Sequence, residues 1–316
     1  MKFDIIKFTK KICSFSPRLG KNENKTAKFI KHTLKENQIN YSIQKFKSQI
    51  PISKKAFLKA DNEIIECKNT SFVSGKIKDK DNLINSYSIT DNSKIKYNIN
   101  YNPYSKAIST VLFYNYPSVA VRYSDLKKIK NANRVFGYVK VKKESYISEN
   151  ILVGNKVNPK YLVFAHYDCH GKTGAIDNAS GVSLIMHTII NNKHLLSTVL
   201  FVFAGSEEIS YDKYDYSCLG FRKFEDKYFS LINNSKYIFI LDGVGNSFPK
   251  LANKLSLLKD VFLIKSLDKL KNKVYWMHGD INKIKKINHS DIDTIDKLDK
   301  KYLILSSNLL INKLKN

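Results

Sequence analysis

Arginine is scarce in this chain. Only Arg18, Arg122, Arg134 and Arg222 are arginines among 54 Lys and Arg residues, which face 28 acidic residues and leave a formal net charge of +26 at pH 7. A surplus of that size ordinarily suggests a polyanionic partner. Nucleic-acid sites, however, cluster their charge and favour the arginine fork on phosphate. Here lysine is spread evenly, together with abundant Asn and Ile, as in A+T-rich coding. Nucleic-acid binding is therefore not expected. Cysteine is also sparse: Cys13, Cys67, Cys169 and Cys218 are scattered with no C-x-x-C. That reads as free thiols in a reducing compartment. No apolar run approaches the length of a transmembrane span. The stretch MKFDIIKFTKKIC holds no run long enough for a signal peptide. The expectation is a cytoplasmic protein with no membrane partner. With 316 residues there is room for a large core, in one large domain or one plus an insert.

The informative stretch is 161–242. It contains YLVFAHYDCHGKTGAIDNASG, TVLFVFAGSEE and YIFILDGVG. Each holds a short apolar run rich in β-branched and aromatic residues, the pattern of a buried parallel strand. Each run leads into acidic residues or a histidine. In open α/β sheets, sites lie beyond the carboxyl ends of the strands. His166, Glu207, Glu208 and Asp242 should therefore converge, with Asp177 at the start of the next helix. Several carboxylates in one cleft repel each other unless cations are present. One imidazole among carboxylates suits Zn²⁺, with Co²⁺ or Mn²⁺ as alternatives. A further histidine, His289, stands near the C-terminus. Five candidate ligands exceed what one catalytic zinc needs and suit two ions sharing a carboxylate.

Together H-x-D, D-N-A-S-G, E-E, L-D-x-V-G and a late His resemble peptidase family M28, zinc aminopeptidases and carboxypeptidases. Each motif alone is common; five in this order are specific. The resemblance covers the first fifty residues and about 145–316. It implies an α/β fold, a three-layer α/β/α zinc-exopeptidase sandwich with a mixed central sheet. It implies two Zn²⁺ ions: His166 and Asp242 on one, Glu208 and His289 on the other, Asp177 bridging. Glu207 would be the general base, and Asp168 would orient His166. A cis peptide bond after Asp177 is also implied. His278 competes with His289 for the last ligand position, but His289 begins H-x-x-x-D-T, as in the family. Tyr275 or His278 is a candidate donor to the oxyanion.

The catalytic domain is expected at 1–48 and 143–316. Helical spacing runs over 3–15 and about 23–37, separated by a P-R-x-G turn in which Arg18 reads as a turn residue capping the helix. Asn40 to Phe46 alternates as a strand. The segment 49–142 changes texture, with short alternating runs between Asn, Asp, Ser and Pro. It reads as a β-rich insert resembling a protease-associated segment, with STVLFYNYPSVAVRYSDLKKIKNA as strand, turn and helix. ENILVGNKVNPKYLVFAHYD looks like a hairpin. Asp177 also fits an N-cap of DNASGVSLIMHTII. His170 departs from the family's ligands and could contact substrate. LANKLSLLKDVFLIKSLDKL reads as one helix, KVYWMH as the last strand and LDKKYLILSSNLLINKL as the closing helix.

The resemblance thus implies a zinc-dependent exopeptidase acting on peptides by metal-activated water. Aminopeptidase action is favoured: the site carboxylates can attract a free α-amino group, and no arginine cluster offers itself to a substrate carboxylate. A glutaminyl cyclase-like acyltransferase is one alternative, although that branch usually departs from D-N-A-S-G. A non-catalytic M28-like binding protein is another, and the full set of ligands with Glu207 argues against it.

Overall fold

A computed structural model of the chain describes residues 3–88, 95–212 and 216–315. The chain forms two compact units. The first holds the chain up to Ser48, Tyr146–Ile284 and the chain from Asp293; the second holds Gln49–Ser145 and Lys285–Ile292.

Seven strands matter for the first unit: β1 Ser42–Ala60, β2 Val135–Gly154, β3 Tyr161–His166, β4 Val199–Ala204, β5 Tyr237–Leu241, β6 Lys250–Ala252 and β7 Val274–His278. β1 and β2 are long enough to run through both units. In the sheet the order is β6-β7-β5-β3-β4-β2-β1. β7, β5, β3 and β4 are parallel neighbours, while β6 and β2 join antiparallel. The register aligns Val163 with both Phe201 and Phe239, and Ala204 with His166. The carboxyl ends therefore finish close together. The expected hairpin before His166 does not form. β4 lies between β2 and β3.

Why these runs are apolar at every position follows from the layers. Val163, Ala165, Phe201, Phe203, Phe239 and Leu241 face one core, with α1 Ile5–Cys13, α2 Lys21–Glu36, α3 Ser180–Asn191 and α5 Lys300–Lys315. Leu162, Phe164, Leu200, Val202, Ile238 and Ile240 face the other, with Phe221, Phe224 and Ile232 of α4 Leu219–Asn234. A strand covered on both faces cannot alternate. The fold is the expected three-layer α/β/α sandwich. α1 begins where Asp4 Oδ1 accepts from the Ile6 and Lys7 N–H groups at 3.0 and 3.1 Å, and it buries Ile5, Phe8 and Ile12. Such a cap satisfies helix donors that have no partner of their own.

Three local expectations are corrected. The strand read at Asn40–Phe46 continues to Ala60 as β1. The helix read from Leu251 to Leu270 is broken into a strand, a helix at Leu255–Val261 and a turn of helix at Leu267–Leu270. The chain leaves the helix to bury Phe262, Leu263 and Ile264. In the second unit, STVLFY is not a strand; Ser118–Val121 is, and Leu126–Asn131 is the following helix. That unit has a four-stranded sheet, Lys68–Asn69, Ser118–Val121, Asn98–Tyr101 and Leu83–Asn85 in order. Its core gathers Leu58, Ile77, Ile99, Val119, Val121, Ile129 and Val139. The segment 285–292 packs within it, where Asn102 donates to the Lys285 carbonyl at 2.8 Å and Thr110 N to the His289 carbonyl at 3.0 Å.

Candidate metal centre

β3 delivers His166 at its last position, and the imidazole is buried. Its Nε2 faces Asp177 Oδ1 at 3.2 Å and Asp242 Oδ1 at 3.8 Å. Its Nδ1 faces Asp168 Oδ1 at 3.5 Å and Glu207 Oε2 at 3.8 Å. Asp168, fully buried, also accepts from the Glu208 main-chain N–H at 2.9 Å. One carboxylate thus stands beside the imidazole and holds the backbone of the adjacent glutamate pair.

Glu207 and Glu208 follow β4. Neighbouring side chains on a strand point oppositely, so the chain must turn for both to reach the site. It turns at Ser206, whose φ of 52° is left-handed, and the Ser206 hydroxyl is tied to Ser48 at 2.6 Å. Gly205 precedes it because a Cβ there would stand 2.6 Å from Glu23 Oε1. Glu207 Oε1 lies 3.0 Å from the Cys218 thiol. Glu208 Oε2 lies 3.3 Å from His170 Nε2.

Asp177 is not an N-cap. It sits in a turn of π-type hydrogen bonding, with φ −116° and ψ 93°, before α3 begins at Ser180. The Asp177–Asn178 peptide bond is cis, as expected. Asn178 Nδ2 donates to the Leu241 carbonyl at 2.7 Å, tying this turn to the end of β5 beside Asp242.

Six of the seven residues that the resemblance makes ligands, base or orienting group therefore meet in the first unit: His166, Asp168, Asp177, Glu207, Glu208 and Asp242. His289 belongs to the second unit, with a left-handed φ of 51°. His278 ends β7, buried, with its ring 4.3 Å from that of Trp276; burial lowers its pKa and its Nδ1 contacts the Gly279 carbonyl at 2.7 Å. Tyr275 does not reach the strand ends: it pairs with Phe239 in register and packs on Tyr237 and Phe239.

The donor set fits divalent zinc. Zn–N and Zn–O bonds near 2.0–2.2 Å put two tetrahedral ligands about 3.4 Å apart. The 3.2 and 3.8 Å separations from His166 Nε2 bracket that distance. Ligand atoms of His166, Asp177 and Glu208 all lie within 4.8 Å of one another. The cluster also demands positive charge. Burial by itself would lower the His166 pKa, yet the Glu207 charge and the contacts with Asp168, Asp177 and Asp242 hold it well above the ordinary value. Burial pushes Glu207 up to about 8, helped by Glu208 and Asp168 and opposed by His166 and Cys218. A metal ion would take the place of the proton that these carboxylates otherwise keep on the imidazole.

Four supporting residues were not foreseen in their roles. Arg18 is not a helix cap: it is fully buried and donates to the carbonyls of Tyr167, Thr173 and Gly174 at 2.8, 2.7 and 3.1 Å and to the Ser16 hydroxyl at 2.7 Å. It fixes the loop between His166 and Asp177. Asp293 accepts from the N–H groups of Ile176 and Asp177 at 2.8 and 3.1 Å. Glu23 lies buried behind the Ser206 turn and accepts from Tyr146 and Ser148. Cys218 holds Glu207. The P-R-x-G and H-x-x-x-D-T motifs carried the signal for Arg18 and Asp293; nothing local marks Glu23 or Cys218.

The resemblance to peptidase family M28 is shown over residues 150–275, which the family's model matches. No curated protein matches the chain. Among solved structures it is similar to BSAP, a zinc aminopeptidase from Bacillus subtilis, at 15% identity over 96% of this chain and 93% of that one, with TM-score 0.66. It is also similar to the aminopeptidase from Aneurinibacillus sp. strain AM-1, at 16% identity over 98% and 93%, with TM-score 0.62. The glutaminyl cyclase of Porphyromonas gingivalis aligns at 13% identity over 98% and 96%, with TM-score 0.53.

Proposed function

We propose that this M28-like chain is a dizinc aminopeptidase that removes N-terminal residues from peptides. The observation that carries the reading is the convergence of His166, Asp177, Glu207, Glu208 and Asp242 at the ends of β3, β4 and β5, with His166 Nε2 at ligand-like distance from two carboxylates. In this reading His166, Asp177, Glu208 and Asp242 of the first unit would hold the zinc. Bound zinc supplies Lewis acidity at the scissile carbonyl and lowers the pKa of water toward neutrality.

The chain's own residues do the rest. Asp168 fixes the His166 ring so that Nε2 points at Asp177 and Asp242, the orienting contact that ligating histidines need. Glu207, adjacent to the ligand Glu208, takes a proton from the attacking water. The burial and carboxylate repulsion that raise the Glu207 pKa would be offset by zinc held by the neighbouring ligands, which favours its basic form. Glu207 then gives the proton to the departing amine. The Cys218 thiol, kept neutral by burial, donates to Glu207 Oε1 and leaves Oε2 facing the His166 side.

The second reading, an acyltransferase closing N-terminal glutamine, has the glutaminyl cyclase likeness in its favour and the intact D-N-A-S-G against it. Metal analysis with a panel of aminoacyl anilides, acylated dipeptides and glutamine-initiated peptides separates the two. The proposal expects two zinc ions per chain and hydrolysis only where the α-amino group is free. Cyclisation of glutamine without hydrolysis would establish the second reading, and a metal-free, inert protein would remove both.

A further inference from the structure

We infer that His170 is an additional ligand of the metal ion held by Glu208. This rests on the metal-site reading above and goes beyond the ligand set that the family resemblance implies. His170 Nε2 stands 3.3 Å from Glu208 Oε2, and both side chains are nearly inaccessible, at 6% and 1% exposure. Two donors on one tetrahedral zinc lie about 3.4 Å apart. The His166–Asp177 pair in the same cluster shows the same spacing, 3.2 Å. Glu208 is itself grouped with His166 and Asp177, and His170 approaches the same carboxylate.

The placement is built into the loop. Arg18 and Cys169 exchange main-chain hydrogen bonds of 2.8 and 3.2 Å, which fixes the residue immediately before His170. The Arg18 guanidinium spends its donors on carbonyls on both sides of His170, at Tyr167 and at Thr173 and Gly174. None of its hydrogen bonds goes to a carboxylate. A fully buried arginine committed to loop shape thus fixes the backbone on both sides of His170. Burying a His–Glu pair for stability alone returns little, because desolvation offsets the attraction. A shared metal ion makes the same geometry favourable. The two ions would then differ: the one on Glu208 gains an imidazole, and imidazole donors favour Zn²⁺ and Co²⁺ over Mn²⁺.

The test uses the full chain, stripped with chelator and titrated with Zn²⁺ alone by calorimetry. Wild type should bind two ions. His170→Ala and His170→Asn should weaken one of them by at least about tenfold, since even outer contacts to a ligand are worth that much. In the Co²⁺-loaded protein each bound imidazole gives a hyperfine-shifted N–H resonance, and both variants should lack one that wild type shows. In ¹⁵N-labelled wild type, the His170 Nε2 resonance should move when Zn²⁺ is added, a result that needs no variant to fold. Unchanged affinities with an unmoved His170 resonance would overturn the inference and leave the dizinc reading standing. A wild-type protein that binds no Zn²⁺ would overturn both.

Discussion

The Cys218 thiol lies 3.0 Å from Glu207 Oε1, so a neutral sulfur donor holds the carboxylate proposed as general base. Burial keeps the thiol protonated, and the contact lowers the Glu207 pKa against the larger effect of burial. Cys218→Ala removes that donor. The Glu207 pKa should rise, and the acid limb of the kcat/KM profile should move to higher pH. A hydrogen bond to a charged group is worth about 1.5–3 kcal/mol, so activity near neutrality should fall about tenfold or more. Cys218→Ser should restore most of it. Equal loss in the two variants, with no shift of the limb, would reduce Cys218 to packing.

The adjacent glutamates should separate by metal content. Glu207→Gln keeps shape and hydrogen bonding while removing the basic oxygen. It should retain both ions, with kcat lower by roughly 10²–10⁴. Glu208→Gln weakens a ligand, so metal and activity should fall together. Metal analysis and kinetics on the same preparations decide this. The reverse pattern would exchange the two roles.

Arg18 should matter for stability out of proportion to its place in a turn. Arg18→Met leaves the carbonyls of Tyr167, Thr173 and Gly174 without this donor inside the protein. Each buried acceptor left unpaired costs about 1–3 kcal/mol. A loss on the order of 3 kcal/mol or more in urea unfolding is the expected result. A change under about 0.5 kcal/mol, the range of an ordinary surface substitution, would contradict the buried geometry.

The metal-free protein should weaken as pH rises. Burial pushes Asp293 up to about 7 and Glu207 up to about 8, from ordinary values of 3.8 and 4.5. Both folded values lie above the unfolded ones, so the native state binds these protons more tightly. The stability they contribute is complete below about pH 4 and is lost as pH climbs through the folded values. In chelator, the urea midpoint should therefore drop between about pH 5 and pH 8. Asp293→Asn removes one of the two protons and should flatten the drop. The same slope in both proteins would contradict a proton on Asp293.

Much of the site was legible because its chemistry is written locally. Residues 161–165, 199–204 and 237–241 are short apolar runs, the pattern of a strand covered on both faces. Acidic residues and a histidine directly after such runs have few places to go except the open end of a parallel sheet. His166, Asp168, Asp177, Glu207, Glu208 and Asp242 follow from that rule and from motif order.

What stayed hidden depends on partners far away in the chain. The position of β4 between β2 and β3 is a matter of pairing, which no single strand encodes. The helix ends at Val261 and Phe262 is buried in the core on that face, a tertiary contact on which periodicity is silent. Arg18 looks like a turn residue until the carbonyls about 150 positions later come to it. Asp293 and Cys218 acquire their roles only when the strand ends bring Asp177 and Glu207 within hydrogen-bond reach. The sequence by itself determined which groups could bind metal and move a proton. Tertiary structure decided their orientation, because hydrogen bonds require distances and angles that only the folded chain supplies.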